Sequence, residues 1–149
     1  MHLGRLEHRI GSETPDGDAS LAKRYPLQLI SRKQHPKFLN SNYGGFGAHL
    51  PSSGTPTLQI HPYDARGRGV SSGDSVIVHN DRGELTLVVE VSDDLQPGLV
   101  AIPFGWWLRS TAEGRAVNAL TNPRLPDDGR GSAFFHDTLV EVTATATGR

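Results

Sequence analysis

Side chains able to do chemistry are mostly scattered in this chain, but two stretches gather them closely. In SRKQHPKFLNSNYGGFGAH, Ser31 to His49, the polar groups Ser31, Arg32, Lys33, His35, Lys37, Asn40, Ser41 and Asn42 are interleaved with Phe38, Leu39, Tyr43 and Phe46. Apolar anchors with so many donors read as a binding loop for an anionic or planar ligand. In VNALT, Val117 to Thr121, Asn118 sits in an apolar frame. Its amide matches the edge of a guanine-like or pterin ring, or it satisfies the backbone of its own loop. Between them lies GWW, Gly105 to Trp107, whose adjacent rings cannot share one pocket in an extended chain. One ring is expected in the core; the other walls a planar ligand or partner domain, or simply packs.

Other chemistries are excluded or weak. There is no GxxxxGK[ST] phosphate loop, GxSxG elbow, HExxH or strand-linked GxGxxG. None of the 7 His has a partner at the i and i+4 spacing of a helical metal site, and no metal site is expected. With 0 Cys there is no disulfide scaffold, thiol nucleophile or thiolate metal site. That usage suits a cytoplasmic setting. Asp93-Asp94 belongs to a turn, where the two carboxylates diverge, so it is not an acid/base pair. Arg32, Lys33 and Lys37 with Tyr43 or Phe46 could grip single-stranded nucleic acid, but a formal charge of -1 argues against it. No apolar run reaches the length of a membrane helix, and the first residues lack a signal-peptide core.

The elements that must position these groups are short. Over 149 residues, one domain's length, 17 Gly and 10 Pro punctuate runs of Val, Ile, Leu and Thr, an all-β or β-dominated pattern. Residues 1–24 show no sustained period and read as a tail or interdomain linker, with order beginning at Tyr25 and the domain occupying 25–149. YPLQLIS is the first strand, then the long loop, then TLQI, Thr57 to Ile60. HPYDARGRG is a short helix with Pro62 in its first turn, Asp64 facing its positive end, and Gly67 and Gly69 stopping it. SVIVH and ELTLVVEV form a hairpin across Asn80-Asp81-Arg82-Gly83. LVAIP is a buried strand, followed by loop with one helical turn around Thr111 to Arg115. DTLVEVTAT is the last strand, able to pair with the first.

HPxDAxxRGV, here HPYDARGRGV, is followed by GDSVIVHNDRG, VSDDLQPGLVAIPFGWW and VNALT, in that order. Together with YPLQLISRKQHPKFLNSNYGG and GRGSAFFHDTLVEV, these stretches resemble the C-terminal molybdopterin-dinucleotide-binding domain of the dimethyl sulfoxide reductase family of molybdenum and tungsten oxidoreductases. The likeness covers about Tyr25 to Val142. It implies a six-stranded double-psi β-barrel, the aspartate decarboxylase-like fold, and a ligand, the molybdopterin guanine dinucleotide of a bis-cofactor whose molybdenum or tungsten is held by the parent enzyme. Carried over by residue, it implies that Ser31, Arg32, His35, Asn40, Ser41 and Asn42 face pterin and pyrophosphate. Asn118 and Thr121 would bond the second ring system, with Gly105 and Trp106 lining the same region. His136 stands where many members have Lys. HPYDARGRG, SSGD and NDRG look like scaffold.

The family's enzymes run to several hundred residues and keep their metal ligand and clusters in other domains. No catalytic residue is therefore expected here. The expected partner is the remainder of a large chain, or a large subunit if this is a separate small subunit as in some formylmethanofuran dehydrogenases. Two other readings stand beside it. One is a self-contained enzyme of decarboxylase type, although Gly11-Ser12 and Gly131-Ser132 lack matching surroundings for self-cleavage. The other is a protein-interaction barrel.

Overall fold

A barrel wall needs side chains that alternate between core and outside, and the short Val/Ile/Leu runs supply that alternation. The computed structural model describes residues 11–33, 56–106, 108, 111, 113–123 and 136–145. The strands are β1 (Leu27–Arg32), β2 (Thr57–Ile60), β3 (Ser75–Asn80), β4 (Gly83–Val91), β5 (Leu99–Pro103) and β6 (Leu139–Ala144). They close in the order β1-β5-β2-β4-β3-β6. β1 with β5 and β2 with β4 run parallel; the other four neighbouring pairs are antiparallel. This is the expected six-stranded double-psi barrel. Leu27 and Leu29, Leu58 and Ile60, Val76 and Val78, Leu85, Leu87 and Val89, Val100 and Ile102, and Val140 and Val142 fill its interior.

The directions have a geometric consequence. All odd-numbered strands run one way and all even-numbered strands the other. One end of the barrel therefore collects the C-termini of β1, β3 and β5 with the N-termini of β2, β4 and β6. Register fixes that end at Arg32 opposite Pro103 and at Asn80 opposite Gly83. Lys33 and Pro56, the described residues flanking 34–55, both lie there.

The opposite end carries α2 (Pro62–Arg68), which starts on a His61 cap, with Nδ1 accepting from the Tyr63 N–H at 3.1 Å, and stops at Gly69 as expected. Asp64 stands in the first turn of the helix, as expected, and has a second role. Its carboxylate is buried and accepts the Gly98 N–H at 2.7 Å, so it ties the helix to the turn before β5. The SSGD turn behaves as scaffold: Asp74 accepts the Ser71 N–H and Ser72 Oγ accepts the Val91 N–H, both at 2.8 Å.

One expectation is corrected. Order does not begin at Tyr25: within the supposed tail, α1 (Ala19–Arg24) starts on Asp18, whose Oδ1 accepts from the Ser20 and Leu21 N–H groups. Six residues are too few for a periodic signal, and the cap is local. The chain does turn where one helical turn is expected, around Thr111 to Arg115: the Gly114 N–H donates to the Thr111 carbonyl at 3.4 Å, and a short 3-10 helix follows at Val117–Ala119. Gly114, at φ 64°, breaks the chain before it. Among the described residues no helix is long and apolar enough to cross a membrane.

The Asp64 anchor is testable. Asp64→Ala leaves the Gly98 N–H without its acceptor and should cost about 1–3 kcal/mol in denaturant unfolding. An unfolding midpoint equal to wild type would show that the anchor carries no stability.

Candidate functional site

The seven expected site residues that are described all sit at the odd-strand end. β1 delivers Ser31 and Arg32. Ser31 continues the inward row of Leu27 and Leu29 at the barrel mouth, whereas Arg32 falls on the opposite row. Beyond β5 the chain keeps to β1 through the Phe104 N–H, which donates to the Arg32 carbonyl at 2.9 Å. Gly105 then turns it at φ 86°, a left-handed conformation that strains any L side chain. Trp106 follows, half-buried. His136 arrives just before β6, and its Nδ1 accepts the Ser31 backbone N–H at 3.4 Å. In that role Nδ1 is the unprotonated nitrogen, which leaves Nε2–H as the donor of the ring. His35, Asn40, Ser41 and Asn42 lie outside the described residues, as does Trp107.

VNALT reaches the same end by another route. Leu120 is fully buried, and its carbonyl accepts Asn80 Nδ2 and Arg82 Nε, each at 2.9 Å. Asn118 is exposed, and the Thr121 hydroxyl donates to the Asn118 carbonyl at 3.2 Å. Among the described residues the exposed Asn118 side chain makes no hydrogen bond to the loop's backbone. A cleft of about 30 Å³ separates the β5 extension from the 3-10 helix, lined by Leu85, Leu87, Ile102, Phe104, Trp106 and Val117. Trp106 lines this cleft.

Two donors at this end lack a use. Arg32 Nε and Trp106 Nε1 are both shielded from solvent and have no acceptor among the described residues. Leaving such groups unpaired costs about 1–3 kcal/mol each, more for a charged one. Their arrangement suits a ligand rich in acceptors. Asp137 Oδ2 and Thr138 Oγ1, which sequence reasoning does not single out, are unpartnered in the same sense. The Asp137 carboxylate lies beside Gly11, where it leaves no room for a Cβ, so it faces the N-terminal segment. Nothing in FFHDT distinguishes these two from ordinary strand-start residues. Among the described residues no group of His, Asp or Glu could hold a metal ion. Asp93 and Asp94 are exposed in their turn, with Asp94 paired to Ser92.

A family model described as "Molydopterin dinucleotide binding domain" matches residues 27–139. The chain belongs to this molybdopterin dinucleotide binding domain family. Its relatives are oxidoreductase chains. It is 36% identical over 130 residues to a putative catalytic chain of the dimethyl sulfoxide reductase of Halobacterium salinarum, covering 87% of this chain and 15% of that protein. It is 34% identical over 126 residues to the dimethyl sulfoxide reductase DmsA of Escherichia coli, covering 82% and 15%. A probable oxidoreductase, YoaE, of Bacillus subtilis is 33% identical over 141 residues, with 89% and 20% covered. The chain thus spans about a fifth or less of the length of these relatives. Acetylene hydratase from Pelobacter acetylenicus shares the fold, with a TM-score of 0.79, 20% identity, and coverage of 93% of this chain and 21% of that one.

The N-terminal segment is latched to the molybdopterin-family barrel at the β3–β4 turn. Arg24 pairs with Asp81 at 2.8 Å, and the Tyr25 hydroxyl donates to Asp81 Oδ1 at 2.7 Å. The Tyr25 bond, then Arg24, hold the Asp81 carboxyl below its usual range, and the same bond holds the Tyr25 phenol above its own. The Asp81 contribution is therefore present above its unfolded pKa of about 3.9 and is lost as pH falls through the lower folded value. The Tyr25 contribution is present below about pH 10 and is lost as pH rises through the raised folded value. Asp81→Asn should be less stable than wild type at pH 7, and the gap should close below about pH 4. A gap of constant size across a pH series of melting curves would contradict this.

Proposed function

We propose that the chain is the domain of a larger molybdenum-dependent oxidoreductase that binds molybdopterin guanine dinucleotide across the odd-strand end of the barrel. Membership of the dinucleotide-binding family supports the ligand. The observation that carries the surface is the pair of buried donors, Arg32 Nε and Trp106 Nε1, which have no acceptor among the described residues. A pyrophosphate-linked dinucleotide is rich in acceptors and fits that donor set.

The contribution of the chain is positional. Arg32 and Trp106 donate hydrogen bonds, His136 presents Nε2–H, and the exposed Asn118 amide offers both donors and an acceptor to a heterocycle edge. Ser31, through its backbone bond to His136, orients that ring. Apolar side chains, Leu85, Leu87 and Ile102 among them, back Trp106 and Val117. When bound, the cofactor's metal supplies the redox step. The partners in this reading are the other domains of the same chain or a large subunit, consistent with relatives of which this segment is 15–20%.

In the full-length protein, Arg32→Ala and Asn118→Ala should each lower cofactor retention, read as molybdenum and released GMP per chain after desalting. For Arg32, a hydrogen bond to a charged group is worth about 1.5–3 kcal/mol, roughly 10- to 100-fold in affinity. Trp106→Phe keeps the ring, loses only the N–H, and should show a smaller loss. Unchanged cofactor content and activity in both Arg32→Ala and Asn118→Ala would reject the assignment.

A further inference from the structure

The NDRG turn, which the sequence presents as scaffold, sits between two parts of the chain that are far apart in sequence. Arg82 holds both. Its Nε donates to the Leu120 carbonyl at 2.9 Å, while Nη1 and Nη2 donate to the two carboxylate oxygens of Glu13 at 2.8 Å each. The pair is largely withdrawn from water, with side chains 26% and 14% exposed. Asn80 reinforces the first contact from the same turn: Nδ2 bridges the Leu120 and Leu139 carbonyls, and Oδ1 accepts the Arg82 N–H. Gly83 completes it by close approach, since a Cβ there would stand 3.0 Å from the Ala119 carbonyl oxygen. Leu120 is thus fixed by its buried side chain and by a doubly bonded carbonyl, with Asn118 and Thr121 on either side.

We infer that Arg82 is a positioning residue that couples the N-terminal segment, through Glu13, to the loop presenting Asn118 and Thr121 to the dinucleotide. This rests on the proposed cofactor reading and deepens it. A guanidinium is suited to the task because its planar fork serves a carboxylate and a carbonyl at once, whereas an ammonium at the same place can hold one or the other. When Glu13 grips Nη1 and Nη2, the plane of the fork is set and Nε points at Leu120. Displacement of the N-terminal segment frees the fork to rotate and loosens the loop, so the segment's seating tunes how Asn118 is displayed.

The test compares Arg82→Lys, Glu13→Gln, Asn118→Ala and the Glu13→Gln/Asn118→Ala double variant in the full-length, cofactor-loaded protein. The readouts are molybdenum and GMP retained per chain and amide hydrogen exchange of peptides covering 117–121. Arg82→Lys should lower retention about tenfold, the scale of one charge-assisted hydrogen bond, and speed exchange across 117–121 while β1 and β5 stay protected. Glu13→Gln should do the same to a smaller extent. Its effect on retention should shrink to under about twofold once Asn118 is already Ala, because the two act through one contact. Wild-type exchange and retention in Arg82→Lys, with Asn118→Ala still lowering retention, overturns the inference alone. Independent, multiplying effects of Glu13→Gln and Asn118→Ala also overturn it, leaving Arg82 a purely structural residue. Unchanged retention in Asn118→Ala overturns this inference, and the cofactor reading falls with it only if Arg32→Ala also keeps wild-type retention.

Discussion

Backbone closure is the constraint on which everything else in the molecule depends. Six short strands bury their apolar rows only by closing on themselves, since an open sheet of this size would leave two edges unpaired. Closing in the order β1-β5-β2-β4-β3-β6 makes the strand directions alternate with number, and the loops must then divide between two ends. Capping and helix duties fall to α2 at one end. The strand ends bearing Ser31, Arg32, Gly105, Trp106 and His136 meet at the other, although they are distant in sequence.

Polar satisfaction separates the two ends. At the α2 end, Asp64, Asp74 and Ser72 each accept a backbone N–H, so the polar groups that hold the turns are used. At the odd-strand end Arg32 Nε and Trp106 Nε1 are withdrawn from water, with nothing to bond among the described residues. A protein normally pairs its buried donors, and these two call for a partner beyond the described residues. An acceptor-rich dinucleotide removes that cost on binding. In this reading the ligand lies across the surface and is covered by other domains. Relatives several times longer than this chain have the material to do so.

Strands are the most legible part of the sequence. TLQI and LVAIP coincide with β2 and β5, and NDRG marks the β3–β4 turn, because alternation and turn chemistry are local and the barrel does not override them. α1 escapes a periodicity reading for want of length. Asp64 carries the local signature of a helix-end charge, and only burial makes it a tertiary anchor. Site residues are legible unequally. Asn118 stands out by its type in an apolar frame, whereas the value of Arg32 and Trp106 lies in missing acceptors, which no composition reveals. Arg82 is hidden in plain view: its motif already explains a hairpin, and nothing local announces that the same guanidinium reaches Leu120 and Glu13. His35, Asn40, Ser41 and Asn42 rest on family resemblance alone.

The central claim is that the odd-strand end of the barrel is the cofactor surface. Its most direct test is the structure of the full-length, cofactor-loaded protein at a resolution that defines hydrogen-bonding distances. Arg32 Nε and Trp106 Nε1 should each lie within hydrogen-bond reach of an acceptor atom of the dinucleotide, with the Asn118 amide at a heterocycle edge. A cofactor seated elsewhere, with both donors still unpartnered or satisfied by protein groups from another domain, would contradict it.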